Sequence, residues 1–276
     1  MTPDQLKFVW NIELAGDRNG LPLLWFHGFM GSGTDWQPMI DDLFPEYCNI
    51  LVDLPGHGKS NHSSKGSYLN YLNYLNYLDV LMDQLSNQGF GTFVAIGYSL
   101  GGRVALHFQQ RFPRRILGLV GLSTAPGLKT AHERLQRHHS DELLMDSLER
   151  LGFSDFLTKW YAQPIFGSIQ DNNELFEKLL ESRSKNEPEQ LRTALNLFGN
   201  GALPSLWNSL TEITTPILLL SGSQDAKYCG INQEMVNLLP TGRHRIVAGG
   251  HSFHLEKPLE TALAIRHFLS ELIEGV

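Results

Sequence analysis

Apolar runs bounded by turn-forming residues recur along the chain at 22–26, 49–52, 92–96, 116–122, 216–220 and 244–248. Continuous runs such as Ile217-Leu218-Leu219-Leu220 fit strands buried on both faces, because a strand with one wet face alternates polar and apolar positions. Helical periodicity separates most of them, clearest over 34–44, 100–112, 231–239 and 258–273. Strands alternating with helices predict an α/β fold: a mostly parallel, doubly wound sheet with helices on both faces.

The rhythm breaks between 125 and 212, which carries helical patterns and no convincing strand. A connection this long inside one domain is usually functional, most often a cover over an active site. The predicted organisation is therefore a core of 1–124 and 213–276 with an inserted helical cap at 125–212. Trp160, Tyr161 and Phe166 either pack the cap onto the sheet or line a cleft beneath it. One low-complexity piece precedes the cap: Tyr68-Leu69-Asn70 is followed by three similar triplets ending at Asp79. A period of three drifts around a helix of 3.6 residues per turn, so the leucines cannot share one face. The reading is a surface helix, partly buried, with no assigned function.

At 276 residues, 42% hydrophobic and 18% charged, the chain can bury one large core with an insertion. The first ten residues include Asp4 and Lys7 and lack a signal-peptide run, and no stretch reaches ~18 apolar residues, so a cytoplasmic protein without membrane insertion is expected. Cys48 and Cys229 stand far apart with no CxxC or histidine-rich pattern, which predicts neither a disulfide nor a zinc site. A formal charge of −7 opposes nucleic-acid and anionic-membrane partners. Yet Arg103, Arg111, Arg114, Arg115, Lys129, Arg134 and Arg137 cluster around the single acid Glu133. Arg111, Arg114 and Arg115 flank Pro113 at a helix end, where cations suit the dipole. Arg103, Arg134 and Arg137 need another account.

Gly97-Tyr98-Ser99-Leu100-Gly101 sits where a predicted strand turns into a predicted helix. Ser99 is the candidate nucleophile or base, held in a strained turn that needs glycine two places before and after it. A serine hydroxyl becomes reactive when an imidazole accepts its proton and a carboxylate orients that imidazole. Asp225 follows the run 216–220, and His251 follows 244–248 through Gly249-Gly250, giving the order Ser, Asp, His at strand exits. His254 competes with His251 as half of a two-histidine metal pair, but no third ligand is suitably spaced, so no metal or cofactor is expected. His27, His57, His138 and His139 are read as structural or surface residues, and Asp53 as a turn former. The Leu100 and Phe29 amides are the two donors expected to form an oxyanion hole.

With these features the chain resembles the α/β-hydrolase superfamily from His27 to beyond His251. Within it, Gly97-Tyr98-Ser99-Leu100-Gly101-Gly102-Arg103 resembles the elbow of the 2-succinyl-6-hydroxy-2,4-cyclohexadiene-1-carboxylate synthases, as do Arg134-Leu135-Gln136-Arg137, Trp160-Tyr161-Ala162-Gln163-Pro164-Ile165-Phe166, Arg183-Ser184 and Asp225-Ala226-Lys227-Tyr228. The resemblance implies an enzyme of menaquinone and phylloquinone biosynthesis, a lyase that eliminates pyruvate from a small polycarboxylate. It implies Arg103, Arg137 and Arg183 as carboxylate binders, since guanidinium matches carboxylate in a planar, bidentate way. Tyr98, Trp160 and Tyr161 become further lining, and Arg134 is left facing solvent. The triplets depart from the family pattern. The rival readings are a serine carboxylesterase or carbon–carbon bond hydrolase using the same triad covalently, and a non-catalytic protein on the same fold.

Overall fold

The structure, a computed structural model, describes residues 8–60 and 71–274. The strands of these residues are β1 (Ile12–Gly16), β2 (Pro22–Phe26), β3 (Cys48–Val52), β4 (Phe93–Tyr98), β5 (Ile116–Leu122), β6 (Ile217–Gly222) and β7 (Gly242–Val247). They form one sheet in the order β1-β3-β2-β4-β5-β6-β7. β1 runs antiparallel to β3. The other neighbours are parallel.

α1 (Gln37–Leu43) follows β2, α2 (Tyr71–Asn87) precedes β4, and α3 (Leu100–Arg111) leaves it. Between β5 and β6 lie α4 (Ala131–Leu151), α5 (Phe153–Tyr161), the short α6 (Gly167–Gln170), α7 (Asn173–Arg183) and α8 (Pro188–Phe198). After β6 come α9 (Ala226–Leu238), the one-turn α10 (Phe253–Glu256) and α11 (Pro258–Glu274). Local chemistry sets several of these ends. Thr130 and Glu133 form a reciprocal capping box at the start of α4, and Gly152, at φ +80°, separates α4 from α5.

Successive residues of the central strands enter opposite cores, which is why those strands read as unbroken apolar runs. Leu24, Phe26, Ala95, Leu119, Ile217 and Leu219 pack with α2, α3 and α9 on one face. Leu23, Trp25, Val94, Ile96, Leu218 and Leu220 pack with α1 and α11 on the other. The doubly wound, mostly parallel sheet expected from the sequence is what forms.

Four local readings are corrected. β1 is absent from the predicted strands because its residues are mostly half-buried and form no apolar run. β7 starts at Gly242 rather than 244 and is a largely exposed edge strand. The helix expected from 231 begins at Ala226, because Asp225 caps it by accepting from the Tyr228 amide at 3.1 Å. The triplet helix is more firmly docked than a surface helix: Tyr74, Tyr77, Leu78, Leu81 and Leu85 are all buried, so tyrosines and leucines share its inward stripe. The first triplet, Tyr68 to Asn70, lies outside the described residues, as do residues 1–7 of the amino-terminal reading. Among the described residues, no helix is long and apolar enough to cross a membrane.

Candidate active site

Ser99 occupies the turn between β4 and α3 with φ +50° and ψ −108°, a left-handed conformation that a side chain rarely adopts. Its neighbours hold the strain. The Ser99 amide donates to the Leu122 carbonyl at 2.8 Å, and the Thr124 hydroxyl donates to the Ser99 carbonyl at 2.9 Å. A Cβ on Gly97 would lie 2.6 Å from the Gly101 carbonyl oxygen, and one on Gly101 would strike the Phe26 and His27 carbonyls. The sequence requirement for glycine on both sides of the serine is thus steric.

His251 Nε2 lies 3.1 Å from Ser99 Oγ, and His251 Nδ1 lies 2.6 Å from Asp225 Oδ2. With the proton on Nδ1 donated to Asp225, Nε2 is left to accept from the serine hydroxyl. Asp225 and His251 are buried. The Tyr228 ring lies against the imidazole, 4.7 Å between centroids, and stabilises its orientation.

The loop after β2 is pinned on both sides. Met30, at φ +63°, donates its amide to His57 Nε2 at 3.0 Å, and its carbonyl accepts from Asn186 of the helical insertion at 2.8 Å. His27 Nε2 accepts from the Leu54 amide at 2.9 Å. Burial lowers the pKa of both His27 and His57 and keeps them neutral acceptors. Phe29 therefore sits on a fixed loop, facing the same cavity as Leu100, whose amide lies in the unpaired first turn of α3.

That cavity, about 200 Å³, lies between the elbow and the helices that follow β5. Its lining brings together Ser99, His251, Phe29, Leu100, Tyr98, Arg103, Arg137, Trp160, Tyr161 and Arg183, every site residue expected from the sequence except Asp225, which stands behind His251. Phe166 lines it too, and Trp160, Tyr161 and Phe166 also pack with the hydrophobic core, so the aromatics of the helical insertion do both. Arg134 does not line it and reaches instead toward the Leu128 carbonyl.

The arginines differ in their partners. Arg183 makes a bidentate pair with Asp35, at 2.8 and 2.7 Å. Burial pulls its pKa down, but the Asp35 carboxylate and Tyr161 outweigh that and raise it. Arg137 Nε donates to Asp141 at 2.7 Å. Arg103 is buried, donates once to the Phe198 carbonyl at 3.1 Å, and has an Nε without a partner. Burial pushes its pKa down to about 10, so it remains charged at neutral pH. Burial also raises Tyr98 well above the usual phenol range, against the opposing hydrogen bond with Ser252 at 2.6 Å.

Sequence reasoning missed Asp35 and Asn200, and named Gln163, Lys227 and Tyr228 within family-like segments without giving them a role in the site. Asp35 is 148 residues from its partner and carries no local signal. The Asp225 helix cap places Lys227 and Tyr228 in the first turn of α9 beside the cavity. Among the described residues, no group of three or more His, Cys, Asp or Glu could hold a metal ion.

A family model described as the alpha/beta hydrolase fold matches residues 22–258. The chain is 36% identical, over 89% of each chain, to a Bacillus subtilis (strain 168) protein provisionally named 2-succinyl-6-hydroxy-2,4-cyclohexadiene-1-carboxylate synthase. It is 32% identical to the Citrobacter koseri synthase of that name, over 91% of this chain and 94% of that one. Among solved structures it is similar to MenH from S. aureus, with a TM-score of 0.86 and 29% identity, covering 97% of this chain and 99% of that chain.

Proposed function

This chain belongs to the alpha/beta hydrolase family, and we propose that within it the protein is a 2-succinyl-6-hydroxy-2,4-cyclohexadiene-1-carboxylate synthase of menaquinone or phylloquinone biosynthesis. It is a lyase that eliminates pyruvate from 2-succinyl-5-enolpyruvyl-6-hydroxy-3-cyclohexene-1-carboxylate. The observation that carries the reading is one cavity lined by Ser99 together with Arg103, Arg137 and Arg183, a cationic lining that an uncharged ester does not need.

Substrate and product differ by a 1,4-elimination. The proton leaves the ring carbon that bears the succinyl group, and its electron pair forms the 2,3 double bond. The 3,4 double bond shifts to 4,5, the carbon–oxygen bond at C5 breaks, and the enolpyruvyl oxygen departs with that pair to give pyruvate after protonation. No acyl-enzyme is required. Ser99 takes the ring proton while its own passes to His251, and Asp225 stabilises the imidazolium. The charge that develops on the succinyl ketone meets the Phe29 and Leu100 amides, each worth about 3 to 4 kcal/mol at the transition state.

The substrate carries three carboxylates: one on the ring, one on the succinyl arm, one on the enolpyruvyl group. Arg103, Arg137 and Arg183 serve them, with Tyr98, Trp160 and Tyr161 shaping the ring's position. Residues 125–212 act as a cap on the core of 1–124 and 213–276, and burial of the reacting ring under that cap excludes water. Free thiols at Cys48 and Cys229 support a reducing, cytoplasmic location.

Purified protein incubated with the enolpyruvyl substrate, with pyruvate followed by coupled NADH oxidation, tests this reading against parallel nitrophenyl acetate hydrolysis. Pyruvate release with negligible ester turnover is expected. Fast ester turnover without pyruvate would make the protein a carboxylesterase or carbon–carbon bond hydrolase instead.

A further inference from the structure

We propose that Lys227 is a further substrate-binding residue, its ammonium taking one of the three substrate carboxylates at the rim of the cavity; this rests on the polycarboxylate reading above. The lining holds Arg103, Arg137, Arg183, Lys227 and His251, and no acidic residue. Asp35 neutralises Arg183, Asp141 neutralises Arg137, and Asp225 faces His251. Among the described residues, Arg103 and Lys227 are the lining cations with no carboxylate within ion-pair distance. A trianion entering this cavity meets two uncompensated positive charges, and Lys227 is one of them.

The structural alternatives do not account for the residue. Lys227 lies in the first turn of α9, where the helix dipole disfavours a cation, so it is not placed to stabilise the helix. Its Nζ lies 5.6 Å from the centre of the Tyr228 ring, and that ring packs on His251. The ammonium is thus held on the catalytic side of its helix while staying exposed, the position from which a side chain can close over a bound carboxylate. Arg103 is buried and Lys227 is at the surface, so the two free charges sit at the floor and the rim of one site.

Steady-state pyruvate release by Lys227→Met tests the proposal, with Lys227→Arg as rescue and Lys178→Met, an exposed lysine paired with Glu174, as control. The expected result is a KM raised roughly five- to twentyfold with kcat within about twofold, most of the loss recovered in Lys227→Arg, and no change in Lys178→Met. An unchanged KM in Lys227→Met, or a loss confined to kcat, overturns the proposal. A calorimetric titration of wild type and Lys227→Met with propane-1,2,3-tricarboxylate reads the same site without turnover. Weaker binding by the variant supports the proposal, and equal binding or none by the wild type overturns it. Pyruvate release with a Lys227-independent KM leaves the lyase reading standing and this inference refuted. Lys227-dependent tricarboxylate binding without pyruvate release does the reverse.

Discussion

Replacing Arg103 by methionine should make the protein more stable and nearly inactive. Arg103 is 3% exposed, makes one hydrogen bond to the Phe198 carbonyl, and leaves Nε unpartnered. Burial lowers its pKa from the usual guanidinium range to about 10, which corresponds to about 3 kcal/mol of destabilisation of the charged folded state. The sign follows from the order of titration. At pH 7 both folded and unfolded chains hold the proton, so the full penalty is present; it fades only as pH rises through about 10, where the folded chain releases its proton first. Methionine keeps the apolar stem and removes the charge, at about 1 kcal/mol for the orphaned Phe198 carbonyl. A net gain of about 1 to 2 kcal/mol should raise the melting midpoint by roughly 2 to 8 °C in a chain of this size. Substrate loses a buried charge partner, so kcat/KM for pyruvate release should fall at least about thirtyfold. Scanning calorimetry at pH 7 and the coupled pyruvate assay read the two effects on one sample. A midpoint lowered by several degrees would show that Arg103 holds the insertion to the core. A raised midpoint with undiminished pyruvate release would show that it does not touch substrate.

Ser99→Ala should lower pyruvate release by about 100 to 10,000-fold while substrate binding by calorimetry changes little; retained turnover would assign the base to another group. Asp35→Asn strands the Arg183 guanidinium in a site where its side chain is 6% exposed, and should destabilise the fold by about 3 to 5 kcal/mol in urea titration. Recovery of part of that loss in the double variant Asp35→Asn, Arg183→Met is expected, and simple additivity would refute the coupling. Burial pushes His107 and His254 down to about 3, so the unfolded chain takes up protons below pH 6.5 that the folded chain refuses. Stability contributed by these neutral histidines is whole above that pH and drains below it, at up to about 1.4 kcal/mol per pH unit for each. His254→Phe, which keeps a ring between Tyr98 and Trp36, should flatten the decline in urea midpoint between pH 6.5 and 4.5, and an unchanged slope would contradict the neutral state.

Much of the catalytic frame was legible because each part is local. The elbow needs glycines two residues either side of Ser99, Asp225 and His251 each stand a few residues beyond a buried apolar strand, and continuous apolar runs mark strands covered on both faces. What escaped depends on distant pairing or on strand edges. β1 earns its place through antiparallel pairing with β3, which a half-buried Ile-Glu-Leu-Ala-Gly segment does not announce. The Asp35–Arg183 pair joins the loop after β2 to α7, engages both Nη groups of Arg183 and leaves its buried Nε without a hydrogen-bond partner. Lys227, named only as part of the Asp225-Ala226-Lys227-Tyr228 segment, received no site role because the helix start was placed at 231, more than a turn beyond the cap that Asp225 provides. The tyrosine-leucine triplets mislead for a related reason: packing selects Tyr74 and Tyr77 with Leu78, so burial follows the helix and not the repeat.

The central claim is that the Ser99–His251–Asp225 array removes a ring proton and does not acylate. Quench-flow pyruvate release from substrate deuterated at the ring carbon bearing the succinyl group, with mass analysis of the enzyme from the same quenched samples, tests it directly. The account predicts a primary isotope effect on the first turnover and an unmodified protein mass at every time point. Isotope-independent release, or a covalent adduct on Ser99 that forms and decays with turnover, would contradict it.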